Sequence, residues 1–196
     1  MNSPILKTIK PQDPSRRKFI KVAAGVAAVG LSGASVSGCQ SDVESNRQLV
    51  FKSLDEALVE LDRLTLAEPL TPDAGWNWAR TLNHCAQSIE FSMTGFPEPK
   101  SALFQRTVGA TAISVFAWRG RMTHSLTAPI PGAPSLAGSD DVAVANARLR
   151  ISIEKFKQFD GEFRPHFAYG ALNKAETDQA QAMHVASHFS LFQQKA

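Results

Sequence analysis

The chain has 196 residues, with 21 Lys and Arg against 18 Asp and Glu and a formal net charge of +3. With 43% hydrophobic and 20% charged residues it is neither a disordered chain nor a polytopic membrane protein, and it can bury one sizeable core. Two cysteines exclude a disulfide scaffold, and the lack of a CxxC pair excludes a zinc ribbon or dithiol redox site.

The positive charge is unevenly placed. Lys7, Lys10, Arg16, Arg17, Lys18 and Lys21 precede Cys39, against Asp13 as the single acid there, so 15 bases and 17 acids remain from Cys39 onward. The rest of the chain is therefore net −2, with no basic stripe along any predicted helix, and nucleic-acid binding is not expected. The basic segment runs into Val22–Ser41, which is uncharged and rich in Ala and Val but diluted by four Gly and four Ser. Basic, then weakly apolar, then small residues is the layout of an export signal. Ser15-Arg16-Arg17-Lys18-Phe19-Ile20-Lys21 resembles a twin-arginine export motif, and Val36-Ser37-Gly38-Cys39 resembles a lipobox with Cys39 as the acylated residue. The uncharged stretch is long enough to span a bilayer, but its Gly and Ser content makes a poor lipid-facing helix.

The expected organisation is a signal over 1–38, a lipidated tether over 39–52 and a helical domain over 53–196. That places the protein outside the cytoplasm on a lipid anchor, at the periplasmic face of the outer membrane in a Gram-negative cell, where Gln40 after the cysteine favours outer-membrane sorting. Its partners are then the twin-arginine translocase and the lipoprotein-processing machinery. A homodimer is compatible with the sequence.

In chain order, Ser53 and Glu56 form a capping box ahead of Leu54, Leu58, Leu61 and Leu64 at helical spacing, and Pro69 and Pro72 stop that run. A second helix is predicted over 75–94, with a stripe of Trp78, Leu82, Cys85, Ile89 and Met93. A third spans 101–118 and carries Leu103, Val108, Ala112, Val115 and Phe116. Gly120–Ser139, with three prolines, is a long irregular connection of the kind that is either functional or mobile. Ser139 is expected to cap a fourth helix, with Val142, Ala145, Leu149, Ile153, Phe156 and Phe159 on its buried face. A second loop covers Gly161–Gly170, and Asn173 with Glu176 opens a last helix that runs nearly to the end. With no strand alternation, the fold class is all-α, a bundle of four or five helices.

Chemistry concentrates in the histidines. His184 and His188 are four apart on the last helix, so both leave one face about one turn apart and can converge on one ion. Two neutral imidazoles turned into a helical core with no shared partner would leave unsatisfied nitrogens. His84 lies about 200° around the wheel from Leu82, off the main apolar stripe. His124 opens the proline-rich loop and is expected to be exposed. Cys85 points along the apolar stripe and is expected to be a buried, inert thiol. Trp76 and Trp78 are expected to pack the top of the bundle, and Arg80, Arg119 and Arg121 are candidates to hold an anionic substrate.

The order of Trp78–Ile89 (with His84), Arg106-Thr107-Val108-Gly109, Pro165-His166-Phe167 with Gly170, and His184-Val185-Ala186-Ser187-His188-Phe189 resembles the DinB-like metal-binding four-helix bundles, in a branch of unknown function. The resemblance covers most of 53–193. It implies an up-down bundle with His84, His184 and His188 around a divalent metal, and His166 and Gln87 as candidates to support the ligands or line a pocket. Gln181 stands three residues before His184, where some bundle sites carry a carboxylate. Ligand type does not choose among Zn, Ni, Fe, Co and Mn. Three imidazoles would leave an open coordination position, the layout of a catalytic site. The function implied is a membrane-tethered, metal-dependent hydrolase or transferase, with substrate entering under the Gly120–Ser139 loop; the alternative is a non-catalytic metal- or ligand-binding lipoprotein.

Overall fold

The computed structural model describes residues 46–65, 69–70, 75–136 and 140–194. The export motif at Arg16 and Arg17, the lipobox Cys39 and the expected cap Ser139 lie outside the described residues. Helix α1 is Leu54–Thr65 and α2 is Trp78–Thr94. Helix α3 is a continuous run of Ala102–Phe104, a π-helical turn Gln105–Gly109 and Ala110–Arg119. Helix α4 is Val142–Gln158 and α5 is Lys174–Phe189. A two-residue antiparallel ladder, β1 (Pro69–Leu70) with β2 (Gln193–Gln194), joins the end of α1 to the tail. The fold is all-α, and among the described residues no helix is long and apolar enough to cross a membrane.

Helix ends follow side-chain chemistry. Asn77 caps α2 by accepting from the Arg80 N–H at 2.8 Å, and Gly95, at φ 112°, closes its far end. Helix α5 opens on the expected capping box, with Asn173 and Glu176 each accepting from the other's backbone N–H. Two expected caps differ. Glu56 accepts from Lys52 and Asp178 accepts from Leu54, so carboxylates from two helices close the start of α1 where a Ser53–Glu56 box was expected. Asp141 caps α4 through the Val144 N–H. A charged acceptor makes the stronger bond to a helix N–H.

Helices α1, α5, α2 and α4 pack in a ring around the core. Leu54, Leu61 and Leu64 of α1 meet Leu82, Cys85 and Ile89 of α2, Leu149, Ile153 and Phe156 of α4, and Val185 and Phe189 of α5. Helix α2 is the central element: 12 of its 17 residues are buried, so its faces serve both the apolar core and the site. Val142 and Phe159, expected on the buried stripe of α4, lie at its margins, Val142 at 43% exposure and Phe159 just past the helix end.

Helix α3 lies outside the ring and touches α5. Of its expected apolar row, Ala112 and Phe116 turn inward, whereas Leu103 is 74% and Val108 57% exposed. The π turn explains the shift, because the Ala110 N–H reaches back to the Gln105 carbonyl and rotates the preceding residues. Gly109 permits the close approach there: a Cβ at this position would stand 2.0 Å from the Ala168 carbonyl oxygen.

Candidate metal centre

Four histidine rings from three parts of the chain converge at one end of the bundle. His84 projects from α2, His184 and His188 from consecutive turns of α5, and His124 from the loop after α3. The Nε2 atom of His184 is 3.2 Å from that of His84 and 3.2 Å from that of His188. The Nε2 atom of His188 is in turn 3.2 Å from that of His124. His84, His184 and His188 offer ring nitrogens that all lie within 4.8 Å of one another. His84 and His188 are buried, while His184 keeps an edge toward the adjoining cavity.

Hydrogen bonding cannot account for all three contacts. A neutral imidazole nitrogen has either one proton or one in-plane lone pair to offer. Four Nε2 atoms joined by three contacts in series can therefore form at most two hydrogen bonds. The Nδ1 atoms of His84, His124 and His184 are buried without a protein partner, so no neighbour forces the proton onto Nε2.

The local sequence explains how the rings are held. His84 falls off the Leu82–Ile89 stripe, but the burial of α2 on several sides brings that second face inward. Trp76 packs edge-on against His84 at 4.8 Å and lies parallel to the His188 ring, while the Arg80 guanidinium sits 4.6 Å above Trp76. Trp76 thus walls the cluster, and Trp78 alone packs the core, against Phe189 and Phe192. One turn from His84, the Ser88 hydroxyl donates to the Gln181 carbonyl oxygen at 3.0 Å, and the Gln181 amide donates to the Ser88 carbonyl at 3.1 Å. This reciprocal pair locks α2 against α5. Gln181, three residues before His184, is therefore spent on structure. The Ser187 hydroxyl lies 3.1 Å from the Met122 carbonyl and 2.9 Å from that of Met183, which holds the His124 loop to α5.

A cavity of about 230 Å³ opens on His84, His124 and His184. Its walls include Met122, Ile130, Pro131, Phe167, Tyr169 and Ala180, and among the described residues no Asp, Glu, Lys or Arg lines it. His166 stands on this wall, outside the cluster. Its Nδ1 accepts from the Ala168 and Tyr169 N–H groups at 3.2 and 3.3 Å, and its ring stacks on Tyr169 with centroids 4.2 Å apart. Gln87 does not line the cavity; its amide donates to the Pro134 carbonyl at 3.2 Å and ties the proline-rich loop to α2.

Residues 43–195 match the model of a protein family of unknown function, DUF1569. The chain belongs to the DUF1569 family. No curated protein and no solved structure matches it significantly. The DUF1569 segment spans all five histidines, both loops and every described helix.

The electrostatics of the DUF1569 site favour neutral rings throughout. Burial lowers His84 to about 4, assisted by His124 and then Arg80, and burial alone lowers His124 to about 4. Burial and then the neighbouring histidines hold His184 and His188 well below the ordinary imidazole value. His166 falls to about 3 through burial, and burial drives the Cys85 thiol upward, as expected of an inert cysteine.

His124 is the residue that sequence reasoning misplaced, since it is drawn into the cluster and half-buried. It has no helical partner at a diagnostic spacing. The one available signal is weak: from Lys100 to Ser139 the chain has no acidic residue, and Met122, Leu126 and Ile130 supply apolar contacts for a packed loop.

Proposed function

We propose that this domain is a DinB-like metal-dependent enzyme of the hydrolase or transferase class. His84, His184 and His188 hold a divalent ion, and His124 offers a fourth nitrogen. The observation that carries this is the chain of three 3.2 Å Nε2 contacts, of which at most two can be hydrogen bonds. The donor set fits a cation. Neighbouring ligands at metal–nitrogen distances of about 2.0–2.1 Å around a tetrahedron stand about 3.3 Å apart, close to the three 3.2 Å contacts. The rings are neutral above pH 7, as metal binding requires.

When bound, the ion supplies Lewis-acid polarisation. The protein's own residues do the rest. Trp76 shields one side of the cluster, so that approach is confined to the cavity side. The Ser88–Gln181 pair fixes the spacing of the helices bearing His84 and His184. With its Nδ1 already accepting, His166 keeps its proton on Nε2 and can donate to a molecule in the cavity. The adjoining cavity supports an enzyme over a storage site. His124 supports the second reading, a non-catalytic metal- or ligand-binding lipoprotein, because four imidazoles complete a tetrahedral set.

Elemental analysis of protein purified without a His-tag tests the centre. One divalent ion per chain is expected, and its loss in His184→Ala and His188→Ala. Unchanged metal content in both variants removes the proposal. Export and lipid anchoring belong to the same proposal, supported by the Arg16-Arg17 motif and the lipobox at Cys39. Incorporation of radiolabelled palmitate in cells, absent in Cys39→Ala, is the expected result; equal labelling of the variant overturns it.

A further inference from the structure

We propose that the cavity beside the histidine cluster binds a compact monoanion, with its single negative group toward the cluster and an uncharged apolar body against Met122, Ile130, Pro131, Phe167 and Ala180. The proposal rests on the metal reading above and names the ligand class of that site.

Charge is the first argument. Four neutral imidazoles contribute nothing to balance a divalent cation, and no carboxylate among the described residues lines the cavity. The charged groups nearby have the same sign as the ion. Arg80 sits over Trp76, and Arg119 and Arg121 line a second opening on the far side of His124. A buried cation without a countercharge is costly, and a site that lacks its own carboxylate favours a ligand that brings one. Sites completed by Asp or Glu carry that charge already; here the incoming molecule supplies it.

The walls set the other half of the specificity. Beyond the histidines the polar groups on the cavity surface are few, and most have partners. Ser88 and Gln181 bond each other, the Tyr169 hydroxyl contacts the Met122 sulfur, and His166 has its Nδ1 filled. Among the described residues no cation lines the wall to meet a second negative group. A dicarboxylate, or a peptide-like thiol with several charges, would bury an unpaired charge there. An aromatic or branched aliphatic body meets only apolar side chains and rings, which contribute by area.

Cobalt-loaded protein tests the proposal with four probes: benzoate, benzamide, acetate and phthalate. The readouts are the visible absorption of cobalt and calorimetric titration. Benzoate is expected to bind at least tenfold more tightly than each of the other three. Ala180→Leu, which narrows the cavity and replaces no histidine, should weaken benzoate at least tenfold and leave acetate and cobalt content unchanged. Benzamide equal to benzoate overturns the charge requirement, acetate equal to benzoate overturns the apolar body, and phthalate equal to benzoate overturns the single charge. Failure to retain cobalt sinks the metal reading and this proposal together. Retained cobalt with the wrong probe order sinks this proposal alone.

Discussion

His124 and His188 are 64 residues apart in the chain, yet their Nε2 atoms stand 3.2 Å apart. A proline-rich loop thereby delivers a fourth imidazole to a cluster otherwise built on two helices. If His124 ligates, His124→Ala should weaken metal binding roughly 10–100-fold while the three helical histidines still retain an ion; losses of that size accompany removal of supporting groups around metal sites. Competition against a chelator of known affinity measures the difference. An affinity within twofold of the parent removes His124 from the ligand set.

Metal-free protein should lose stability as the pH falls from neutral. Each cluster histidine is depressed in the folded state, so the unfolded chain binds more protons below the ordinary value of 6.5. Stability is therefore full above 6.5 and declines as pH drops toward the folded values of about 4 for His84 and His124 and about 3 for His166. A shift of this size at one site is worth about 3 kcal/mol at the acid end. Thermal melts in excess chelator between pH 7.5 and 4 should show a steep fall starting near 6.5. A flat melting temperature down to pH 5 contradicts it.

Gly109→Ala should destabilise, although Gly→Ala inside a helix ordinarily stabilises by about 1 kcal/mol. The added methyl would meet the Ala168 carbonyl at 2.0 Å, a backbone atom in the segment tied down by the His166–Gly170 bridge. That segment cannot retreat without breaking the Lys100–Phe167 and Arg164–Ser92 backbone bonds. A loss of about 2–3 kcal/mol in urea unfolding is expected, of the size seen for overpacking. A neutral or stabilising effect would show that helix α3 can separate from the loop.

The legible part of this protein was its periodic part. Leu61, Leu82, Ile89, Leu149 and Ile153 recur at three and four and occupy the core, and the HxxxH pair on α5 presents both rings to one place. What spacing could not supply was the burial of α2 on several sides, which turns His84 inward despite its position off the stripe. Nor could it supply the route of a loop. His124 reaches the cluster through bonds made by Ser187 to Met122 and by Gln87 to Pro134, and each is a contact between distant segments. The outer row of α3 misled for a related reason: a π turn changes the phase of a helix without altering its composition.

The same loop contacts predict a metal-dependent change in mobility. Between the Ser187 and Gln87 anchors the described residues make little backbone hydrogen bonding, so the buried Ile130 side chain and the ring of His124 hold the loop. An ion shared by His124 and the helical histidines would add a strong link at that point and stabilise the closed loop by mass action. Hydrogen exchange across residues 120–128 should slow at least tenfold on adding zinc to chelator-treated protein, with α1 and α4 little affected. Ser187→Ala should speed exchange in the same segment with or without zinc, since it frees the anchor and not the ligand. In His124→Ala the zinc effect should vanish while zinc still binds. If zinc slows the loop equally in parent and His124→Ala, the loop is held by packing alone and the centre is a three-histidine site.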